Sequence, residues 1–180
     1  MIINQKVKIY RGRFPPADTL NPKLHKIILK EAVNKDKGAL MTHWNAQHIK
    51  EFNLIQDFAI NLILGSDSNI MIEEKWVGRN MGPNLELRKG NLWGQLYNKG
   101  DYQVGHDHIP YHISYVYYVN TPKGASPLVF EESKKKLFPK AGEIVLFPSW
   151  VWHSVPPNNC DERTMIGGNL CYAYTDNSNV

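Results

Sequence analysis

The sequence predicts an α+β domain that is mostly β: an antiparallel sandwich or barrel with two N-terminal helices packed on one outer face. Apolar residues recur at helical spacing through the first third of the chain. Beyond about residue 70 the texture changes to short apolar or alternating runs, punctuated by glycine and proline. That change is not a domain boundary, because two helices alone cannot bury their apolar stripes. One domain over residues 1–180 is expected, with helical support over 1–69 and a β core over about 70–176.

The first helix is expected to start at Asn21-Pro22, an N-cap followed by proline at the first helical position. Leu24, Ile27, Ile28 and Ala32 then share one face. A second helix is expected after Asn45, with Ile49, Phe52, Ile55, Phe58, Ala59, Leu62 and Ile63 on one stripe and Gly65 ending it. Strands are expected over 70–77, 92–97, 114–119, 128–130, 143–147 and 164–174, with turns at 100–101, 121–124 and 139–142.

Composition excludes several classes. The hydrophobic fraction is 42% and the charged fraction 21%, which suits a globular chain rather than a disordered one. The best apolar run, 58–64, is broken by Asn61, so no membrane partner is expected. The opening residues Met-Ile-Ile-Asn-Gln-Lys carry no apolar block, and Cys160 and Cys171 are too few for a disulfide framework. Both point to a reducing cytoplasm. The net charge of +4 comes from scattered lysines, with one run at Lys134-Lys135-Lys136 that reads as a solvated loop. No basic stripe interleaved with aromatics argues for nucleic acid; a polyanionic substrate is the alternative use of that charge. Oligomeric state is not readable.

Three of the seven histidines, His106, His108 and His112, fall within one short stretch. Residues two apart on a strand point to one face, so His106 and His108 can converge while Asp107 points away. Pro110 leaves the direction of His112 open. Far along the chain, His153 lies in Trp150-Val151-Trp152-His153-Ser154-Val155-Pro156-Pro157. A close pair plus a distant third is how a β sandwich builds a facial metal site with open positions. Arg163 follows ten residues later (163 − 153) and opens an alternating strand. Its guanidinium could return beside such a metal and grip a carboxylate bidentately.

These residues also carry a family resemblance. Leu96-Tyr97-Asn98-Lys99-Gly100-Asp101-Tyr102-Gln103-Val104-Gly105-His106-Asp107-His108, the run from Ser114 to Pro122 with its Tyr117-Tyr118 pair, and Pro127 to Phe130 resemble the core of the Fe(II)/2-oxoglutarate-dependent dioxygenases. Pro139 to Phe147 and Trp152-His153 through Arg163 continue the scheme. The chain is most similar to the small bacterial and phage-type branch related to prolyl hydroxylases, over roughly 92–172.

The resemblance implies a double-stranded β-helix, jelly-roll or cupin-like, holding Fe(II) and using 2-oxoglutarate and O2. It implies decarboxylation of 2-oxoglutarate to succinate and CO2, coupled to hydroxylation of a C–H bond on a peptidyl side chain, prolyl or other, or on a small molecule. His106 and His153 take the histidine ligand roles, Arg163 pairs with the 5-carboxylate, and Tyr118 supports it. Tyr97 and Asn169 line the cosubstrate pocket, and Tyr102, Trp150 and Trp152 form part of the substrate wall. The family's usual motif is His-x-Asp, whereas this chain has His106-Asp107-His108; His108 is taken as the second ligand, with Asp107 as the alternative. Met165 stands where the family often has a hydroxyl residue. Substrate loops are expected at 80–90 and 133–138. Two other readings are a non-catalytic metal-binding jelly-roll, serving as sensor or scaffold, and a three-histidine cupin dioxygenase without 2-oxoglutarate. Neither needs a carboxylate clamp at Arg163 and Tyr118.

Overall fold

In the computed structural model, which describes residues 7–36, 38–65 and 85–174, a short strand β1 (Tyr10–Arg13) precedes helix α1 (Ala17–Glu31). The helix begins earlier than the sequence predicts. Pro15 and Pro16 stop the extended chain, the Leu20 N–H reaches the Pro16 carbonyl at 2.9 Å, and Pro22 falls inside the helix. Pro22 forfeits one helical hydrogen bond there. Asn21 does not cap. Its side-chain amide donates to the Val119 carbonyl at 2.9 Å and its oxygen accepts from the Tyr117 hydroxyl at 2.6 Å. Asn21 therefore ties the helix to the sheet.

A hairpin of β2 (Asn34–Asp36) and β3 (Ala39–Met41) leads to α2 (Lys50–Gly65). The long strand β4 (Leu85–Tyr97) follows, then β5 (Gln103–His106), β6 (Ile113–Asn120), β7 (Leu128–Phe130) and β8 (Lys135–Leu137). The chain closes with β9 (Glu143–Pro148), β10 (His153–Val155) and β11 (Arg163–Tyr174). The larger sheet runs β1-β9-β6-β11-β4-β3-β2 and the smaller β5-β10-β7-β8, with antiparallel pairing throughout. The run 134–136 is not a loop as expected, since Lys135 and Lys136 belong to β8. The predicted strand 70–77 and the first part of the loop 80–90 lie outside the described residues; 85–90 belong to β4. Among the described residues, no helix is long and apolar enough to cross a membrane.

Parity along the larger sheet separates two cores. Leu92 and Leu96 of β4, Tyr115, Tyr117 and Val119 of β6, and Ile166 and Leu170 of β11 pack with Leu24, Ile28, Phe52, Ile55 and Ala59 of the helices. The alternate residues Tyr97, Val116, Tyr118 and Met165 face the smaller sheet, where Leu128, Phe130 and Val155 meet them. Both faces of β6 are thus buried, and from Tyr115 to Val119 its sequence is a continuous apolar and aromatic run. Gly94 lets the helices approach closely: a Cβ there would lie 2.9 Å from Ile28 and 3.0 Å from Phe52. Each large apolar side chain buried in this way contributes roughly 1.5–3 kcal/mol. The helices hold the larger sheet from behind and leave its other face to build a site.

Candidate active site

His106 ends β5 and His153 begins β10, and the two are cross-strand partners. Their ring centroids are 4.3 Å apart, and His108 lies 4.9 Å from His106 and 5.1 Å from His153. One ligand-capable nitrogen from each ring falls within 4.8 Å of the others. Strand parity does not place His108, because β5 ends at His106. A turn does: the His108 N–H donates to the Ser149 carbonyl at 2.8 Å, and its own carbonyl accepts from Tyr111 at 2.9 Å. Asp107 stays outside the cluster, its carboxylate accepting from the Ile109 N–H at 3.2 Å.

Backbone contacts orient two of the rings. Nδ1 of His106 lies 2.8 Å from the Val104 carbonyl, and Nδ1 of His153 lies 2.8 Å from the Val151 carbonyl. A carbonyl can only accept, so each Nδ1 carries a proton, which leaves Nε2 as the nitrogen available to a metal. Burial, and then the neighbouring His106, push the His153 pKa down to about 3, so its imidazole is neutral. Three imidazoles converging on one point suit a divalent transition metal. The donor set fits iron.

The opposite end of the same cavity is built on the larger sheet. Arg163 pairs with Tyr97 across β11 and β4, and Met165 pairs with Tyr118 across β11 and β6. The Arg163 guanidinium carbon sits 4.5 Å from the Tyr97 ring centre and 5.8 Å from that of Tyr118. Arg163 is 0% exposed, yet its Nε and Nη1 find no hydrogen-bond partner among the described residues, nor does the Tyr118 hydroxyl. Leaving such donors buried and unmet costs free energy, more for a charged group than a neutral one. An incoming carboxylate would satisfy them. Burial pushes the Tyr118 pKa up to about 12, opposed by the Arg163 charge, so the phenol keeps its proton.

Other expected residues lie elsewhere. Asn169 is buried but does not line this cavity; its oxygen accepts from the Ser114 hydroxyl at 2.8 Å, because register places it beside Ser114 rather than near Arg163. Tyr102, Trp150 and Trp152 are exposed and also outside the lining. They lie in the connections beside β5 and β10, with the Tyr102 ring against Gly38 and the Trp152 ring against Gly105. The lining instead includes Trp44, Trp93, Gln95 and Gln103, which the sequence reading did not single out. Trp93 and Gln95 share the parity of Tyr97 on β4, a signal that could have found them. Trp93 stacks on Trp44 at 4.2 Å and lies 5.5 Å from His108. Gly167 makes room for it, since a Cβ there would lie 2.6 Å from the indole.

The family model for a putative 2OG-Fe(II) oxygenase matches residues 132–167, the stretch that holds His153 and Arg163. The matched stretch carries that family's signature, and the fold is shared with solved 2OG-Fe(II) oxygenases. Iron(II), 2-oxoglutarate and dioxygen are the cofactors of that family. The viral collagen prolyl hydroxylase of Paramecium Bursaria Chlorella virus-1, solved as a 2OG complex, superposes with a TM-score of 0.65 and 15% identity, over 89% of this chain and 95% of that one. A Pseudomonas putida prolyl-4-hydroxylase gives 0.57 and 17%, over 92% of both chains. A non-heme alpha ketoglutarate dependent epimerase from nogalamycin biosynthesis gives 0.62 and 10%, over 92% and 78%. One oxygenase fold thus spans unlike reactions. No curated protein matches the chain.

Proposed function

We propose that the protein binds iron through His106, His108 and His153 and anchors 2-oxoglutarate at Arg163. One observation carries the reading: a fully buried guanidinium with unmet donors lies in the same cavity as three converging imidazoles. Bound there, iron(II) would supply activation of dioxygen, and 2-oxoglutarate would supply two electrons as it becomes succinate and CO2. The chain's own contribution is placement. Arg163 and Tyr118 donate to the distal carboxylate, Val104 and Val151 hold two imidazoles in the ligating tautomer, and Phe147, Leu128 and Val155 keep water out. The stacked Trp44 and Trp93 form the wall beside His108, where a substrate would approach.

For the prime substrate, we propose hydroxylation of a C–H bond on a peptidyl side chain, prolyl or other. The support is likeness to prolyl hydroxylases, which by itself shows the fold. The test of the first proposal needs no prime substrate. Iron-loaded protein under air should release succinate from 2-oxoglutarate, and Arg163→Ala should not. Absence of succinate from the wild type, with iron bound, would favour a sensor or a cupin enzyme of another kind.

A further inference from the structure

A hydrogen-bond relay along the cavity lining links the two sheets. The Tyr97 hydroxyl donates to Oε1 of Gln95 at 3.0 Å, and Nε2 of Gln95 donates to Oε1 of Gln103 at 3.4 Å. Gln95 and Tyr97 lie on β4 of the larger sheet, while Gln103 lies on β5 of the smaller, three residues before His106. Gln95 is 7% exposed and Gln103 6%, so water competes little for these bonds. We infer that Gln95 and Gln103 are positioning residues that act through Tyr97 on the Arg163 guanidinium, and so set the affinity for the cosubstrate's distal carboxylate.

The chemistry runs in one direction. An amide that donates onward makes its own carbonyl a better acceptor, because chained hydrogen bonds polarise one another. A phenol that donates to that carbonyl becomes richer in electrons over its ring. The Arg163 guanidinium lies 4.5 Å from that ring centre, within cation–π range, and the attraction grows where water is excluded. Among the described residues Arg163 makes no salt bridge, so the aromatic faces are what the protein offers its charge. Holding the ring flat beneath the cation fixes where the guanidinium points before a carboxylate arrives. Pre-set geometry of this sort raises affinity by lowering the cost of ordering. The relay also joins β5, the strand that ends at His106, to the ring beneath the Arg163 guanidinium.

The inference rests on the reading of Arg163 as the cosubstrate anchor. Its test uses manganese-loaded protein and two acids, 2-oxoglutarate and 2-oxobutanoate, which keeps the 2-oxo acid head but lacks the distal carboxylate. Calorimetry would compare wild type, Gln95→Leu, Gln103→Leu, Tyr97→Phe and the double variant Gln95→Leu/Tyr97→Phe. Each single change should weaken 2-oxoglutarate by about three- to tenfold, the loss of one hydrogen bond. The double variant should be no weaker than the worse single one, and 2-oxobutanoate should bind all five alike. Equal losses for both acids, multiplied losses in the double variant, or unchanged 2-oxoglutarate binding would each overturn the relay. If Gln95→Leu does not fold, the cycle of Gln103→Leu with Tyr97→Phe answers the same question. A wild type that binds manganese but neither acid would overturn the cosubstrate reading itself.

Discussion

His106 and His153 face each other directly across the antiparallel pair of β5 and β10, so two strands far apart in sequence deliver two imidazoles to one point. That register predicts a strict dependence of metal binding on either residue. His153→Ala should abolish stoichiometric Mn(II) or Fe(II) binding while the circular dichroism spectrum stays native. Anaerobic titration giving equal metal content in mutant and wild type would refute the assignment.

His108 and Asp107 give a sharper contrast. The Asp107 carboxylate accepts from the Ile109 N–H, whereas the His108 ring joins the cluster. His108→Ala should lose metal, and Asp107→Ala should keep most of it. The reverse result would mean that the turn after β5 rearranges to present a carboxylate.

Tyr118 should stay protonated well into alkali. Its folded pKa, pushed up to about 12 by burial, lies above the ordinary value of 10.0. A raised value means that the folded state holds its proton longer than the unfolded one. The stabilisation is complete below pH 10 and is lost as pH climbs from 10 toward 12. Ultraviolet difference titration should find wild type and Tyr118→Phe releasing equal numbers of phenol protons up to pH 10. A phenol missing from the variant's titration near pH 10 would contradict the buried, water-excluded site.

Gly167→Ala should displace the Trp93 indole, because the added methyl would lie 2.6 Å from ring atoms on a packed sheet. Overpacking of this kind costs about 1–3 kcal/mol. Urea denaturation should show that loss together with a change in tryptophan emission. Neither change would mean that the indole has space the structure does not show.

Much of the fold was legible in the sequence, for a physical reason. Strands buried on both faces, such as β6 and β9, are mostly apolar and announce themselves. The strands β5 and β10, which carry His106 and His153, read Gln-Val-Gly-His and His-Ser-Val, too short and polar to show a pattern. The histidine set and Arg163 stood out because their chemistry is rare at that spacing. The wall did not. Trp150 and Trp152 were visible as aromatics, but nothing local says which way a turn faces, and both proved exposed. Asn21 looked like a cap because caps are local, whereas its partners Val119 and Tyr117 lie about a hundred residues away.

The central claim is that one buried arginine anchors a dicarboxylic cosubstrate opposite the histidine cluster. Calorimetric binding of 2-oxoglutarate to manganese-loaded wild type and Arg163→Ala tests it most directly. Removing one partner of a desolvated charge pair typically costs ~2–5 kcal/mol, and ~1.4 kcal/mol is tenfold in affinity. The variant should therefore bind 2-oxoglutarate roughly 30-fold or more weakly, with manganese affinity unchanged and pyruvate bound poorly by both proteins. Equal affinity of wild type and variant for 2-oxoglutarate would contradict the account.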